Sequence, residues 1–384
     1  MTIRAGLIAL GIAVSVSPVE AQDIHLADSL YRVATQSLES GDTAGFRDWM
    51  NRAAEQMPVG HLNRPFVQYQ AARANALTGR ASISAAWLQR ILDERIEGLM
   101  IWYAGQDSAF NQVRRSPEYR AVFENVNRLT LAVTPMGGAL FLLEGAGGNS
   151  LVSLGPDGTL LIDAGYEPGG AAIARAITER GGSLPRWIVL THAHEDHVGG
   201  VPLLDEHASI LAHPEAIRQL GASQEFIEGV NAPAKPFAVQ IQPVTEIRRL
   251  AVNGDTAVII PMPAHSGGDL IAWFPRARIL HIGDNYLPGA NPFMELGGIQ
   301  DIETYLSTLG DFLSHLDSTT RVIPGHGPVS TLQDLRAVYQ KTANGVAFVH
   351  RCKVAGMALE EIQQRGASEG LPAGWIARAY RRIK

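Results

Sequence analysis

A dense group of metal-binding residue types follows a short apolar run near the middle of the chain. The run spans residues 187–190, and His192, His194, Asp196 and His197 come directly after it. Side chains two positions apart on an extended backbone point to the same side, so the imidazoles of His192 and His194 can face one point. Asp196 and His197 follow where the chain bends, and they can face a second point nearby.

Three more residues of the same types occur later, each after a short apolar run and within two positions of a glycine or proline. They are His265, Asp284 and His326. Neutral imidazole and carboxylate are the ligands that zinc and related divalent metals prefer in proteins. We therefore interpret these positions, together with the earlier group, as metal ligands on loops at the ends of strands.

The stretch from about Val133 to about Asn344 resembles the metallo-β-lactamase-fold hydrolase superfamily. It carries that family's H-x-H-x-D-H run, followed by a later His, Asp and His. The resemblance implies an α/β fold, the αββα four-layer sandwich, and two divalent metal ions, with zinc expected and iron or manganese as alternatives. It implies that the first metal is held by His192, His194 and His265, the second by Asp196, His197 and His326, and that Asp284 bridges the two.

The same resemblance suggests a hydrolytic mechanism. Asp163 matches an early strand-end Asp of the family, which lies behind the metal ligands and orients them. Two metals that share a bridging hydroxide provide a nucleophile near neutral pH without a serine or cysteine. Asp196 and Asp284 would then be catalytic, because Asp196 would hold the second metal and orient the hydroxide while Asp284 sets the metal spacing.

The substrate class is indicated by the residue at the bridging position. Zinc β-lactamases generally have Cys or Ser there, so Asp284 points to the glyoxalase II, lactonase and phosphodiesterase branches. We expect a small-molecule substrate with an ester, thioester, lactone or similar bond, and Tyr286 and Asp269 are candidates for the substrate pocket. The motifs around His265 and His326 most resemble a periplasmic branch whose members are described as cyclase-like or quinoprotein-relay hydrolases.

Three other interpretations stay open. A mononuclear iron persulfide dioxygenase shares much of this ligand set, although a full second group at Asp196, His197 and His326 favours two metals. A nuclease of the same fold is disfavoured by the acidic charge balance and by the lack of an inserted nucleic-acid domain in the sequence. A non-catalytic protein that binds a partner through its N-terminal helices is the third.

Composition limits the function further. A chain of 384 residues, 46% hydrophobic and 18% charged, suits a globular protein of about two domains. Its net charge of −6 gives no electrostatic footprint for nucleic acid. No internal apolar run reaches membrane-spanning length, so we expect no membrane span in the mature protein.

The first 21 residues have the pattern of a cleavable signal peptide. A positive start ends at Arg4, an apolar run covers residues 5–16, and small residues precede the expected cleavage after Ala21. We therefore expect a periplasmic or secreted protein. Cys352 is the only cysteine, so the chain cannot form an internal disulfide even in an oxidising compartment.

Residues 22–129 have the apolar spacing of helices and resemble tetratricopeptide-type hairpins, with Gly41 and Gly79 as turns between helices. We expect this domain to pack on the catalytic domain, and it could also bind a protein partner or mediate self-association. Residues 130–345 form the predicted catalytic domain, with a linker at 130–138 before its first strands. Residues 346–384 form a predicted C-terminal helical extension, and the aperiodic segment 221–242 is the candidate for substrate specificity.

Overall fold

A computed structural model of the protein describes residues 18–59, 61, 64–94, 98–127, 129–204, 207–221, 224–227, 230–232, 241–288, 294, 298–299 and 301–383. Residues 1–17, which carry most of the predicted signal peptide, therefore lie outside the described residues. So does most of the predicted specificity segment. Among the residues described, no helix combines the length and the apolar character that crossing a membrane requires.

The chain begins with a layer of helices. They are α1 (Pro18–Glu39), α2 (Thr43–Gln56), α3 (Arg64–Leu77), α4 (Ala81–Asp93), α5 (Gly98–Gln106) and α6 (Pro117–Asn127). In α2, the buried residues Phe46, Met50, Ala53 and Ala54 recur at helical spacing, and Asp42 caps the first turn by accepting a hydrogen bond from a backbone N–H. The helical character of this region is as predicted, whereas its tetratricopeptide-like character stays a prediction.

Gly41 and Gly79 lie in the turns between α1 and α2 and between α3 and α4, as the sequence predicts. Their φ angles are +82° and +70°, a conformation that favours glycine over residues with a Cβ atom. The helical layer packs on the rest of the protein, because the fully buried Tyr166 belongs to its hydrophobic core. A hydrogen bond from the indole of Trp102 to the Glu167 carboxylate, 2.8 Å long, lies at the same contact.

The first sheet has seven strands in the order β1-β2-β3-β4-β5-β6-β9. They are β1 (Ala132–Gly137), β2 (Leu140–Glu144), β3 (Ser150–Ser153), β4 (Thr159–Ile162), β5 (Pro185–Val189), β6 (Ser209–Ala212) and β9 (Ile241–Pro243). A separate two-stranded sheet pairs β7 (Gln224–Ile227) with β8 (Val230–Ala232) inside the predicted specificity segment.

The predicted linker at 130–138 is wrong, because most of it forms β1, an edge strand that pairs antiparallel with β2. Only one residue of β1 is buried, so the strand lacks the continuous apolar run of its neighbours. It also contains Pro135, which cannot donate a ladder hydrogen bond and is tolerated at a sheet edge.

The second sheet has six strands in the order β10-β11-β12-β13-β14-β15. They are β10 (Arg248–Val252), β11 (Asp255–Pro261), β12 (Leu270–Phe274), β13 (Ile279–Gly283), β14 (Arg321–Pro324) and β15 (Ser330–Thr331). The helices on the outer faces of the sheets are α7 (Glu167–Thr178), α9 (Pro214–Leu220), α10 (Ile302–Ser314), α11 (Leu332–Val354), α12 (Leu359–Ser368) and α13 (Ala373–Arg382). The short helix α8 (Glu195–Val198) is buried.

The strands bury side chains on both faces of the sheets, as the layers of a sandwich require. In β4, Leu160 and Ile162 face the core between the two sheets, whereas Leu161 faces the core under the helices of the first half. This alternation is the period of two that side chains follow along a strand. A third core, which includes Leu309 and Trp375, lies between the second sheet and the helices of the second half. The predicted α/β sandwich, with two sheets and an N-terminal helical region, is confirmed.

The C-terminal helices belong to this second half. Helix α11 runs through the predicted boundary between residues 345 and 346, and α12 and α13 pack against it and the second sheet. The indole of Trp375 donates a hydrogen bond to the backbone carbonyl of Met294, and the Arg382 guanidinium donates to that of Ile299. The C-terminal region therefore packs on the domain as a covering layer.

Candidate metal centre

The predicted ligands come from strands of both sheets and meet at one edge of the sandwich. Strands β4 and β5 are parallel neighbours in the first sheet, and β13 and β14 are parallel neighbours in the second. Because parallel strands end at the same edge, the loops that follow them lie together. Asp163 follows β4, residues 192–197 follow β5, Asp284 follows β13 and His326 follows β14. His265 lies in the loop from β11 to β12.

The first group of donors consists of His192, His194, His265 and Asp284. One possible ligand atom from each residue lies within 4.8 Å of those of all the others. Nε2 of His265 is 3.1 Å from Nδ1 of His194, and Oδ2 of Asp284 is 3.7 Å from Nε2 of His265. Four donors from two sheets therefore converge on one point.

The second group of donors consists of Asp196, His197 and His326, whose ligand atoms meet the same distance limit. Nε2 of His326 lies 2.9 Å from Oδ2 of Asp196 and 3.4 Å from Nε2 of His197. Asp284 lies between the two groups. Its Oδ1 is 3.4 Å from Nε2 of His197, and its Oδ2 is 3.7 Å from Nε2 of His326. The structure thus brings together all seven predicted ligands, and their roles stay predictions.

The donor atoms fit divalent cations. Nε2 of His192 is fully buried and has no hydrogen-bond partner among the described residues. Oδ2 of Asp284 is 3.8 Å away, beyond hydrogen-bonding distance. A buried polar atom without a partner is destabilising, and a metal ion would supply the partner that this nitrogen lacks. Tetrahedral sites of imidazole and carboxylate ligands are typical of zinc.

Asp163 lies behind the two groups. Its Oδ2 is 2.7 Å from Nδ1 of His197, and the same oxygen accepts a 2.7 Å hydrogen bond from the hydroxyl of Thr191. Its Oδ1 accepts the backbone N–H of Thr191, also at 2.7 Å. The Thr191 hydroxyl oxygen is 3.0 Å from Nδ1 of His192. Asp163 therefore orients His197 directly and His192 through Thr191.

The two groups differ in charge when no metal is bound. Burial lowers the pKa of His192 well below its ordinary value and that of His194 to about 4, and neighbouring histidines add to the effect. Burial also disfavours the cationic form of His326, but Asp284 and Asp196 outweigh it and raise its pKa to about 9. The pKa of His197 is also raised, because the charges of Asp284, Asp196 and Asp163 outweigh the effect of burial. A metal would meet neutral imidazoles in the first group and would displace protons in the second.

Asp269 shapes the loop that carries His265. Its carboxylate accepts hydrogen bonds from the backbone N–H groups of Ala264, Ser266 and Gly267, at 2.9 to 3.1 Å. The side chain is buried, so its oxygens are occupied by the loop itself. Asp269 was predicted to line the substrate pocket, and these contacts place it behind His265.

Tyr286, the other predicted pocket residue, lies in the core between the second sheet and its covering helices. Burial raises the pKa of its hydroxyl, which neighbours Ser330. Only 3% of the residue is exposed, so it leaves almost no surface for a substrate.

The sequence interpretation missed several residues that support the ligands. Thr191, described above, was given no role, although it directly precedes His192. Asn285 accepts the backbone N–H of His265 at 3.1 Å through Oδ1 and donates through Nδ2 to the carbonyl of Met262 at 2.9 Å. Its position directly after Asp284 was the one signal available for it.

Comparison with known proteins agrees with this geometry. The family model described as the metallo-beta-lactamase superfamily matches residues 144–331. The chain is 30% identical over 197 residues to the Probable metallo-hydrolase YqgX of Bacillus subtilis (strain 168). This match covers 48% of this chain and 89% of that protein. It is 31% identical over 144 residues to the Beta-lactamase-like protein 2 homolog of Caenorhabditis elegans, covering 37% of this chain and 42% of that protein.

For several of the curated relatives, including the worm protein, the match spans only two fifths to about half of the relative's length. Among solved structures, the sec-alkylsulfatase Pisa1 from Pseudomonas sp. aligns at 17% identity with a TM-score of 0.49, covering 66% of this chain and 50% of that one. The family match and the coverage of YqgX show that the chain belongs to the metallo-beta-lactamase superfamily.

Proposed function

We propose that the protein is an exported dinuclear metal-dependent hydrolase that cleaves an ester, thioester, lactone or similar bond in a small molecule. The observation that carries this proposal is the position of Asp284 between the two groups of donors. Its Oδ2 lies 3.7 Å from the nearest donor nitrogen of His265 in the first group and 3.7 Å from that of His326 in the second. One carboxylate that reaches both groups is the arrangement that two adjacent cations need.

Two divalent cations bound there would supply a water that ionises near neutral pH and positive charge for the oxygen of the scissile bond. The chain's own residues would hold and orient that centre. Asp163 keeps a proton on Nδ1 of His197, which leaves the Nε2 lone pair directed at the second group. Thr191 does the same for His192. Asp196 and Asp284 add negative charge that the histidines alone would not provide.

The proposed substrate class rests on Asp284 and on the charge of the chain. Zinc β-lactamases generally have Cys or Ser at the position that Asp284 occupies. A carboxylate there therefore supports ester, thioester and lactone hydrolysis over β-lactam hydrolysis. A net charge of −6 does not favour a polyanionic substrate such as nucleic acid.

The first test is metal analysis of the purified protein, followed by assays with lactone, thioester, phosphodiester and lactam substrates. We expect two metals per chain and turnover of at least one carbonyl ester class. The matched variants are His192→Ala, which removes a buried donor, and His315→Ala, which removes an exposed histidine outside both groups. His192→Ala should lose metal and turnover, and His315→Ala should keep both.

Other results would identify other functions. One iron per chain, with oxygen uptake in the presence of a persulfide, would establish the dioxygenase interpretation instead. Metal-loaded protein that hydrolyses no substrate but binds a protein through its N-terminal helices would establish a non-catalytic role.

The proposed export rests on the sequence of the first 21 residues. The test is expression of the full chain in a Gram-negative host, followed by fractionation and N-terminal sequencing. We expect periplasmic or secreted protein that begins at Gln22. Full-length protein confined to the cytoplasm would contradict export and would leave the proposed chemistry untouched.

A further inference from the structure

We propose that Asn149 is a positioning residue that holds the second group of donors, Asp196, His197 and His326, in its binding geometry. The inference deepens the proposed function and rests on it, because it assigns the second group to a second metal ion. Asn149 lies in the loop from β2 to β3, in the half of the sandwich opposite the strand that carries His326.

The side chain and backbone of Asn149 bind the segment around His326. The Nδ2 group donates to the carbonyl oxygens of Pro324 and Gly327, each at 2.9 Å. The backbone N–H of Asn149 donates to the carbonyl of Gly325 at 2.6 Å. These bonds reach both sides of His326, and the Asn149 side chain itself is buried. The loop that presents His326 is therefore fixed from the opposite sheet.

The residue before Asn149 contacts the other two donors. The backbone N–H of Gly148 donates to the carbonyl of Asp196 at 2.9 Å. A Cβ atom on Gly148 would lie 2.4 to 2.8 Å from three atoms of the His197 ring, so only glycine allows the loop to approach this closely. Gly148 and Asn149 together bond Asp196 and the residues on either side of His326, and Gly148 packs against the His197 ring.

A buried histidine holds Asn149 in turn. Nε2 of His281, in β13, donates to the carbonyl of Asn149 at 3.0 Å. Burial lowers the pKa of His281, which keeps the ring neutral with one N–H available to donate. His281 belongs to neither group of donors, and this contact gives its fully buried ring a role.

His192 and His265 of the first group are held by other residues. His265 is positioned by the loop that Asp269 and Asn285 organise, and His192 is positioned by Thr191. None of these contacts involves Asn149. Loss of the Asn149 side chain should therefore weaken metal binding by the second group and leave metal binding by the first group nearly unchanged.

The test is a zinc titration of metal-free wild-type and Asn149→Ala protein, with affinities measured by competition with a chelator of known strength. Loss of partners that orient metal ligands weakens metal binding by roughly 10- to 100-fold. We expect that loss for the second equivalent of zinc, with the first equivalent within about threefold of wild type. Cobalt(II) substitution gives an independent readout, since the spectrum of the second cobalt should change and that of the first should not.

The matched control is Asn253→Ala. The Nδ2 group of Asn253 also joins the two halves, donating to Ser153 and to the carbonyl of Gly158 at 3.0 and 2.9 Å, in contacts that involve none of the metal donors. This variant should lower the melting temperature and keep both zinc affinities. If Asn149→Ala keeps both affinities, loses both equally, or matches Asn253→Ala, the positioning role is overturned.

If Asn149→Ala does not fold, Asn149→Asp preserves the shape of the side chain and replaces its N–H donors by an oxygen that repels the two carbonyls. It should give the same selective loss of the second zinc, and equal affinities for both zinc ions in this variant and wild type would overturn the inference. The two proposals can fail separately. Wild-type protein that binds one zinc contradicts the dinuclear function, whereas two zinc ions in both wild type and variant contradict only the role of Asn149.

Discussion

The Oδ2 atom of Asp163 lies 2.7 Å from Nδ1 of His197, and neither side chain is exposed to solvent. A carboxylate only accepts hydrogen bonds, so Nδ1 of His197 must carry a proton, and Nε2 is the ring nitrogen left to bind a metal. The same carboxylate accepts the hydroxyl of Thr191, which lies against His192 of the first group. One buried side chain thus sets ring orientation in both groups of donors.

Asp163→Asn should weaken binding of both metals. The φ angle of Asp163 is +59°, a conformation that asparagine tolerates, so the exchange alters the side-chain chemistry with little backbone strain. The amide of the new asparagine would place its N–H groups against Thr191 or His197. Those residues donate hydrogen bonds to Asp163, so two donors would face each other. We expect roughly 10- to 100-fold lower affinity for each zinc in competition titrations. Wild-type affinity for either zinc would contradict the shared role of Asp163.

Thr191→Val should weaken the first metal selectively. Valine keeps the branched shape of threonine but removes the hydroxyl between Asp163 and His192, which leaves Nδ1 of His192 buried without that partner. We expect about tenfold weaker binding of the first zinc and little change in the second. Thr191→Ser retains the hydroxyl and should bind both zinc ions as wild type does. Equal behaviour of the valine and serine variants would show that the hydroxyl does not position His192.

The sequence singled out the residues that the fold brings together because each is an unusual residue type at a recognisable place. His192, His194, Asp196 and His197 form a dense run, and the later ligands each follow an apolar strand. Residue type and local pattern were sufficient to select these positions as candidate ligands. The supporting residues Asn149 and Thr191 are common polar types, and the contact from Asn149 to the carbonyl of Pro324 spans 175 positions. Only the fold brings such residues to the site.

Gly345 is a position where local signals and tertiary packing differ. It lies at the predicted end of the catalytic domain, but helix α11 continues through it to Val354. Gly345 usually indicates a helix end, since glycine suits the conformation that follows a helix. Here it is needed for packing, because a Cβ atom at this position would lie 2.9 Å from the Trp375 ring. A tertiary contact thus explains a residue that a local pattern assigns to a turn.

Zinc binding to the second group should be coupled to proton release. In the metal-free protein the pKa of His326 is raised to about 9 and that of His197 lies well above its ordinary value, so both rings are cationic at pH 7. A metal must displace these protons, so affinity for the second zinc should rise as the pH increases from 7 towards 9. His194, whose pKa is about 4, is already neutral, so the first zinc should show little dependence over this range.

Calorimetric titrations in two buffers with different ionisation enthalpies would count the protons released per metal. We expect more protons released with the second zinc than with the first. Equal proton release for the two would contradict the assignment of neutral and cationic histidines to the two groups.

Asp284→Ala should remove most activity and also change the charge of the metal-free site. The carboxylate contacts both groups, so its loss should lower turnover by at least about 100-fold and weaken both metals. Asp284 is also the carboxylate whose charge does most to raise the pKa of His326, and together with Asp196 it outweighs the effect of burial. In the metal-free variant the pKa of His326 should therefore fall, which NMR titration of its ring would detect. Asp284→Asn retains one oxygen ligand and should keep more metal than the alanine variant while showing the same fall in pKa. An unchanged His326 pKa in both variants would show that Asp284 does not pair with the second group.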